Sequence, residues 1–578
     1  WTIGIMGMLD IRFNFFNLMI STFIFGLGDD YSIFTTEGYL QKLRYKRDHI
    51  PVFKRSVILS ALTTLIGIGV LLFAGHPALK SIALVTVIGI TSAVIITFVL
   101  QPVLINFLTH YQGRKRMQPV TLYNYFFSIA SLIYFLIATL FGAVLIPILT
   151  ILPIPSKTKK YLVHCVIWFF SLTVSYMNIH VKKTLINRPK GMFKKPVVVI
   201  SNHQSALDLV LLLLLHQKLV ILANTKSWNN PFYGRIIRFA GFIRSDTGLD
   251  FAIDTIRKRV EDGYSVIVFP EGTRSADCRI KRFHKGAFYL ADQLNLEIQP
   301  ILIHGACQRL NNREFFLRRG RITLKFFDRI NFKEGKYGSE YADQAKGIVK
   351  FMRAEFEMMK QPLESPDRMK YNLINRYIFR GPVLEWYLRI KLMIERNYNP
   401  IHQVVPRQGT ITDIGCGYGF MSAMLALTSD KRMITGIDYD EDKIVTARNC
   451  TEDLENLKFV MDDISNKQLP KSDVFLLMDV LHYMSAEKQI TLIRNCIASL
   501  NERGMILIRD ADADLRKRTI GTKITEFIST HIGFNKTKER LHFVSGQLIR
   551  KQAADDGLNV EVIDNSKFTS NLIYILRK

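Results

Sequence analysis

The stretch VVVISNHQSALD (Val197–Asp208) decides how the middle of this chain folds. Four consecutive β-branched residues, Val197 to Ile200, read as a strand buried on both faces, as in a parallel sheet. A short polar turn follows, and an apolar helical pattern begins behind it. His203 sits in the turn, and Asp208 falls on the first helical turn, where its carboxylate can reach back to the imidazole. Such a pair suits a general base, because the carboxylate holds one tautomer and stabilises the imidazolium formed when a hydroxyl loses its proton. Ser205 and Asp208 also stand at capping-box spacing, so closing the helix N-terminus is an alternative role for the same carboxylate.

A second element, VIVFPEGTRS (Val266–Ser275), is a buried strand that ends in Pro-Glu-Gly. It places Glu271, Thr273 and Arg274 at the carboxyl edge of a sheet, where open α/β folds bind ligands. The planar guanidinium of Arg274 suits a phosphate, and Gly272 lets backbone approach a substrate closely. An Arg bridging to a neighbouring carboxylate is the plainer alternative for one such loop, and it weakens once both elements occur in order.

NHQSALD and FPEGTRS resemble the two signature blocks of the glycerophosphate acyltransferase superfamily, especially the bacterial 1-acyl-glycerol-3-phosphate acyltransferases. KSWNNPFYGRIIRFAGFIRSD (Lys226–Asp246) resembles the acceptor-binding block, RFHKGAF (Arg282–Phe288) the FKKGAF stretch and QPILI (Gln299–Ile303) the VPV-type strand. The resemblance implies that His203 takes the acceptor proton and Asp208 orients it, while Glu271, Gly272, Thr273 and Arg274 line the acceptor site. It also implies an acyl-CoA or acyl-ACP donor. Arg244 is implied as an acceptor ligand, although GFIR is tighter than the family's usual spacing. No metal ligands are evident.

Further along, TITDIGCGYGF (Thr410–Phe420) is a strand running into a glycine-rich turn, and Asp438 in GIDYD and Asp463 in FVMDDIS follow it at strand ends. This series resembles the class I S-adenosylmethionine-dependent methyltransferases. The resemblance implies that Asp413, Gly415, Gly417 and Gly419 form the methionine loop, Asp438 meets the ribose and Asp463 the adenine. A dinucleotide-binding domain is the competitor, but GCGYG lacks the GxGxxG spacing. DVLHYM (Asp479–Met484) is expected at the substrate mouth, with His482 either a base or a buried structural histidine.

The chain has 578 residues and a formal charge of +27, so several domains and an acidic partner are expected. No acidic residue occurs between Asp48 and Asp208, and basic clusters in that interval flank long apolar runs. That pattern meets anionic lipid headgroups rather than nucleic acid. Phe15–Phe34, Ser56–Gly75 and Ile82–Leu108 have the length of spanning helices. Leu122–Leu152 and Tyr161–Met177 read either as two ordinary crossings, which would put the basic link of Lys157, Lys159 and Lys160 outside, or as a shallow or re-entrant hairpin bent near Pro147, Pro153 and Pro155, which avoids that conflict. Gly26, Asp30 and Tyr31 resemble the GxxxDY proton-relay motif of the large-MmpL and resistance-nodulation-division exporters, which implies that the first part is the remnant of a longer exporter. The first residue, Trp1, agrees with a longer protein. The six cysteines show no CxxC spacing and are expected to be reduced.

The expected architecture is multidomain: an α-helical transmembrane segment followed by two α/β domains, an acyltransferase-type one and a Rossmann-like methyltransferase. Its pieces are 1–110 (exporter remnant), 111–181 (membrane-associated helices), 182–360 (acyltransferase), 361–371 (linker) and 372–578 (methyltransferase). The expected setting is multi-pass in the inner membrane with both catalytic domains on the cytoplasmic face. Expected partners are a membrane lipid acceptor, an acyl carrier (CoA or ACP) and the missing N-terminal part of the exporter. An aryl-polyene-like lipid product is suggested by the module order, against two rivals: housekeeping lysophosphatidic acid acylation, and a transporter whose soluble domains only bind ligands.

Overall fold

The computed structural model describes residues 1–578 apart from 13, 178, 245–248, 276, 313, 332–333, 396, 464–467, 516–541 and 565–569, with backbone alone at 249–252. The chain divides into two compact units, Val120–Leu363 and a second made of Trp1–Pro119 with Glu364–Lys578. The expected linker is thus a turn at Glu364 and Ser365, because the helices on either side run to Leu363 and start at Pro366.

In the second unit, α1 (Phe15–Tyr45) opens on a reciprocal cap between Asn14 and Asn17 and closes at Lys46 in the left-handed region. Lys42 and Arg44 in its last turn complement the negative end of the helix dipole. Two helices follow that are long and apolar enough to cross a membrane, α2 (Ile50–Phe73) and α3 (Pro77–Thr109). A two-stranded ribbon, β1 (His110–Tyr111) and β2 (Arg114–Lys115), comes next. The expected first span, Phe15–Phe34, is not among the helices that meet this length and composition: Asn17, Asp29 and Asp30 dilute its apolar run, and the helix continues through them to Tyr45.

The other unit begins with two more helices of spanning length, α4 (Leu122–Ile151) and α5 (Ser156–Met177). α4 passes through Pro147, and the chain turns at Leu152–Pro155, later than the first of the three expected bends. Then come β3 (Val181–Ile186), β4 (Val198–Ser201), α6 (Leu207–Leu213), β5 (Leu219–Ala223), β6 (Ile243–Arg244), α7 (Leu249–Glu261), β7 (Ser265–Val268), α8 (Gly286–Gln293), β8 (Ile298–His304), β9 (Gly320–Phe326) and α9 (Tyr341–Leu363). The seven strands lie in the order β3-β9-β8-β4-β7-β5-β6. β4 is parallel to both neighbours, pairing Ile200 with Val268 of β7 and with Pro300 of β8. All four residues of β4 and of β7 are buried, as their runs of three β-branched residues require of central parallel strands.

The C-terminal part contains α10 (Pro366–Tyr377), α11 (Pro382–Ile394), β10 (Gly409–Ile414), α12 (Phe420–Thr428), β11 (Arg432–Asp438), α13 (Glu441–Thr451), β12 (Leu457–Met461), β13 (Ser472–Met478), α14 (Ala486–Ala498), β14 (Leu500–Ala511), α15 (Gly546–Asp555), β15 (Asn559–Ile563) and β16 (Asn571–Arg577). Its sheet runs β12-β11-β10-β13-β14-β16-β15, parallel except for β16, which is antiparallel to both neighbours. Strand order reverses between β10 and β13, and there the carboxyl ends of a doubly wound sheet leave a crevice.

Candidate functional site

β4 and β7 are adjacent and parallel, so the turns at their carboxyl ends emerge side by side. His203 leaves β4 in the first turn, and its Nδ1 lies 3.1 Å from Oδ2 of Asp208. The same oxygen accepts the N–H groups of Gln204 (2.6 Å) and Ser205 (2.7 Å). The two sequence readings of Asp208 therefore meet on one atom. Only half of the capping box forms, because the Ser205 hydroxyl, which donates to the Leu310 carbonyl, accepts the Leu207 N–H at 3.3 Å rather than that of Asp208. The carboxylate is wholly buried, whereas His203 keeps part of its ring exposed and stacks on Phe269 with centroids 4.0 Å apart.

Glu271, expected to line the acceptor site, is buried, and both its oxygens take backbone donors: Oε1 the N–H of His203 (2.9 Å) and Oε2 that of Lys281 (3.0 Å). Burial raises its pKa above the ordinary carboxylate value, and those two N–H groups partly offset this. Its described contacts tie the two signature turns together, and Ser275 N–H closes the same seam on the His203 carbonyl. Gly272 has φ +69°, a conformation that favours glycine, and Thr273 and Arg274 are exposed beside it. Arg244 ends β6, two strands from β7, and is half-buried.

In the C-terminal sheet the glycine turn follows β10. Gly415, Gly417 and Gly419 all have positive φ, and Gly417 N–H donates to Oδ2 of Asp438 at 2.8 Å. A Cβ at Gly415 would stand 2.4 Å from Val480, and one at Gly419 2.3 Å from Phe459, whereas one at Gly417 meets nothing within 4 Å. Asp413 is buried beneath the turn, accepts the Ser422 hydroxyl, and has its pKa pushed up to about 7 by burial first of all.

A protein-family model described as Acyltransferase matches residues 177–304, and one described as Methyltransferase domain matches 407–546. A 1-acyl-sn-glycerol-3-phosphate acyltransferase of Chlamydomonas reinhardtii is 33% identical over 135 residues, which are 22% of this chain and 41% of that protein. The beta form from Homo sapiens is 32% identical over 142 residues, 24% of this chain and 51% of the relative. The Limnanthes alba enzyme is 31% identical over 183 residues, 31% and 65% respectively. The chain spans about half the length of these curated relatives. It carries an acyltransferase domain and a methyltransferase domain.

In the acyltransferase domain, sequence reasoning missed three residues that shape the turn carrying His203. Asn202 exchanges two hydrogen bonds with the backbone of Ile303 (2.8 and 2.9 Å), fastening the turn to β8. Phe269 supplies the stacking face, and Lys281 places its ammonium on the Arg274 carbonyl at 2.9 Å, adding a cation beside the guanidinium loop. Asn202 and Phe269 lie inside the quoted motifs, but nothing in their spacing signals these contacts. A further departure is the disulfide between Cys278 and Cys307, where reduced thiols were expected. The loops after β7 and β8 flank the turn after β4, and the bond joins them, with the Gln204 side chain donating to the Cys278 carbonyl. Disulfides belong to oxidising compartments, so this bond and a cytoplasmic setting pull in opposite directions.

The methyltransferase domain fits S-adenosylmethionine on two observations: the turn is open above Gly417, and a buried carboxylate, Asp438, stands beside that opening. When bound, S-adenosylmethionine supplies the methyl group. Asp438 also accepts the Asp440 N–H at 2.9 Å, which fixes the carboxylate at the end of β11. Asp463 is exposed just beyond β12. His482 is buried, its Nδ1 2.6 Å from Oδ1 of Asp510, whose other oxygen accepts the Leu481 N–H, an arrangement that serves a base and a structural histidine alike. In the N-terminal helices, Asp30 is exposed while Tyr31 is buried against Val57, Ala61 and Ile90, so α1 turns the two supposed relay partners to different surroundings.

Proposed function

We propose that the acyltransferase domain moves a fatty-acyl group from a thioester of CoA or ACP to a hydroxyl of a phosphate-bearing lysolipid of the lysophosphatidic acid type. The observation that supports this most is the His203–Asp208 pair, clamped by Glu271 to the loop carrying Arg274. With Nδ1 held by Asp208, Nε2 is the nitrogen that takes the acceptor's proton. The hydroxyl oxygen then attacks the thioester carbonyl carbon, the carbon–sulfur bond breaks, and the imidazolium returns its proton to the leaving thiolate. Arg274 and Lys281 supply positive charge for the acceptor phosphate, and Arg244 is a secondary contact. The curated relatives named above are described as acting on 1-acyl-sn-glycerol-3-phosphate, which favours this acceptor class.

In this reading the chain works in the inner membrane with both domains on the cytoplasmic face, a side that the basic clusters favour and the Cys278–Cys307 bond opposes, and the methyltransferase modifies the same class of membrane-lodged product, of the aryl-polyene-like kind that the module order suggests. The exporter role rests on the GxxxDY resemblance alone.

His203→Ala in isolated membranes tests the proposal. Acylation of lysophosphatidic acid, assayed separately with acyl-CoA and acyl-ACP, is expected to fall by about 10²- to 10⁴-fold. An unchanged rate with both donors overturns it.

A further inference from the structure

α11 has two unlike faces. Leu384 and Leu388 are buried, and the rings of Tyr387 and Phe420 approach to 6.2 Å at the end of the glycine turn. One turn on, Lys391 Nζ lies 3.7 Å from Asp479, the residue that follows β13. The inner face therefore borders the crevice in which the cofactor loop and the supposed substrate mouth meet. On the opposite side Val383, Trp386, Ile390, Met393 and Ile394 recur at helical spacing, each between 46% and 75% exposed. Contiguous apolar exposure of this kind marks an interaction surface, and a tryptophan-bearing apolar face on a short helix suits the headgroup–acyl boundary of a bilayer.

What lies next to that face follows from the rest of the same unit. Arg44, at the end of α1 and just before the apolar α2, donates to the Tyr418 hydroxyl of the glycine turn at 2.8 Å. Its carbonyl accepts from Asn449 Nδ2 at 2.8 Å. Lys115, just after the apolar α3, donates to the Asn449 carbonyl at 2.7 Å, and Arg47 pairs with Asp442 at 3.3 Å. All four contacts come from one end of the α2–α3 pair, the end at which a membrane surface would lie. The start of α11 is at the same place, since a Cβ on Gly381 would stand 3.3 Å from Arg44.

We infer that the outer face of α11 inserts into the bilayer interface and that the methyltransferase takes an amphiphilic, lipid-borne acceptor from it. The transfer moves a methyl carbon from the sulfonium sulfur of S-adenosylmethionine to a nucleophilic atom of that lipid, leaving S-adenosylhomocysteine and one proton. This rests on the methyltransferase domain and is independent of the acyl-transfer proposal.

Two measurements on the full chain test it. In nanodiscs of phosphatidylcholine and phosphatidylglycerol, the emission lost in Trp386→Phe isolates that residue from the three other tryptophans. Brominated acyl chains are expected to quench this component at least about twofold. An unquenched component, whether solvated or shielded by a protein or a second copy, overturns the inference. Second, radiolabelled S-adenosylmethionine added to native membranes is expected to label the chloroform-extractable fraction. The pair Trp386→Glu and Met393→Glu is expected to lower that label about tenfold, with calorimetric affinity for S-adenosylmethionine unchanged. Label confined to the aqueous phase, or undiminished in the pair, overturns it. If the pair also loses cofactor affinity, the bromine measurement decides.

Discussion

His203 and Asp208 meet at 3.1 Å on a carboxylate oxygen that also accepts the N–H groups of Gln204 and Ser205. Helix closure and the holding of the His203 ring are thus one arrangement. Asp208→Asn keeps the volume but removes the charge that stabilises an imidazolium and offers an amide donor where three donors converge. The turnover number for lysophosphatidic acid is expected to fall by at least about 10²-fold, with a much smaller change in KM. Steady-state kinetics in membranes measure both.

The glycine turn separates packing from binding. Gly417→Ala meets no neighbour and carries only the left-handed penalty of about 1–2 kcal/mol, so the protein should fold and bind S-adenosylmethionine more weakly. Gly419→Ala drives a methyl into Phe459 and Ala447 and should destabilise the domain itself. Calorimetric titration and thermal unfolding distinguish the two outcomes.

Asp413 gives a pH dependence with a definite sign. Burial raises its pKa from 3.8 to about 7, so the folded domain holds this proton more tightly than the unfolded chain does. Its contribution to stability is complete below pH 3.8 and is lost as pH rises through about 7. Asp413→Asn, which can still accept the Ser422 hydroxyl, should remove that decline. Scanning calorimetry between these limits checks it, with the methyltransferase transition identified by its upward shift on adding S-adenosylmethionine.

The Cys278–Cys307 bond closes a loop of 29 residues across the turn carrying His203. In the chain-entropy view a loop of that size is worth about 3.6 kcal/mol. Cys278→Ser with Cys307→Ser should lower the unfolding temperature of the acyltransferase domain and slow acyl transfer, leaving methyl transfer unaltered. Thiol alkylation and mass spectrometry of the unreduced protein check that the bond is present.

Local pattern determined a good deal of this protein. The β-branched runs before His203 and Glu271 and the glycines after Asp413 specify strands and turns through side-chain period and backbone sterics, which act over a few residues. The order of those elements also marked both domains. What the tertiary structure decided depends on strand order, which no local pattern encodes. Placing β4 between β7 and β8 brought Cys278 to Cys307, turned the Glu271 carboxylate inward onto two backbone N–H groups, and set Asn202 against Ile303. Helix phase separated Asp30 from Tyr31, since neighbouring residues on a helix point about 100° apart. Only the folded chain joined Arg44 to Tyr418, 374 residues away, because long-range electrostatic contacts carry no spacing signature in the sequence.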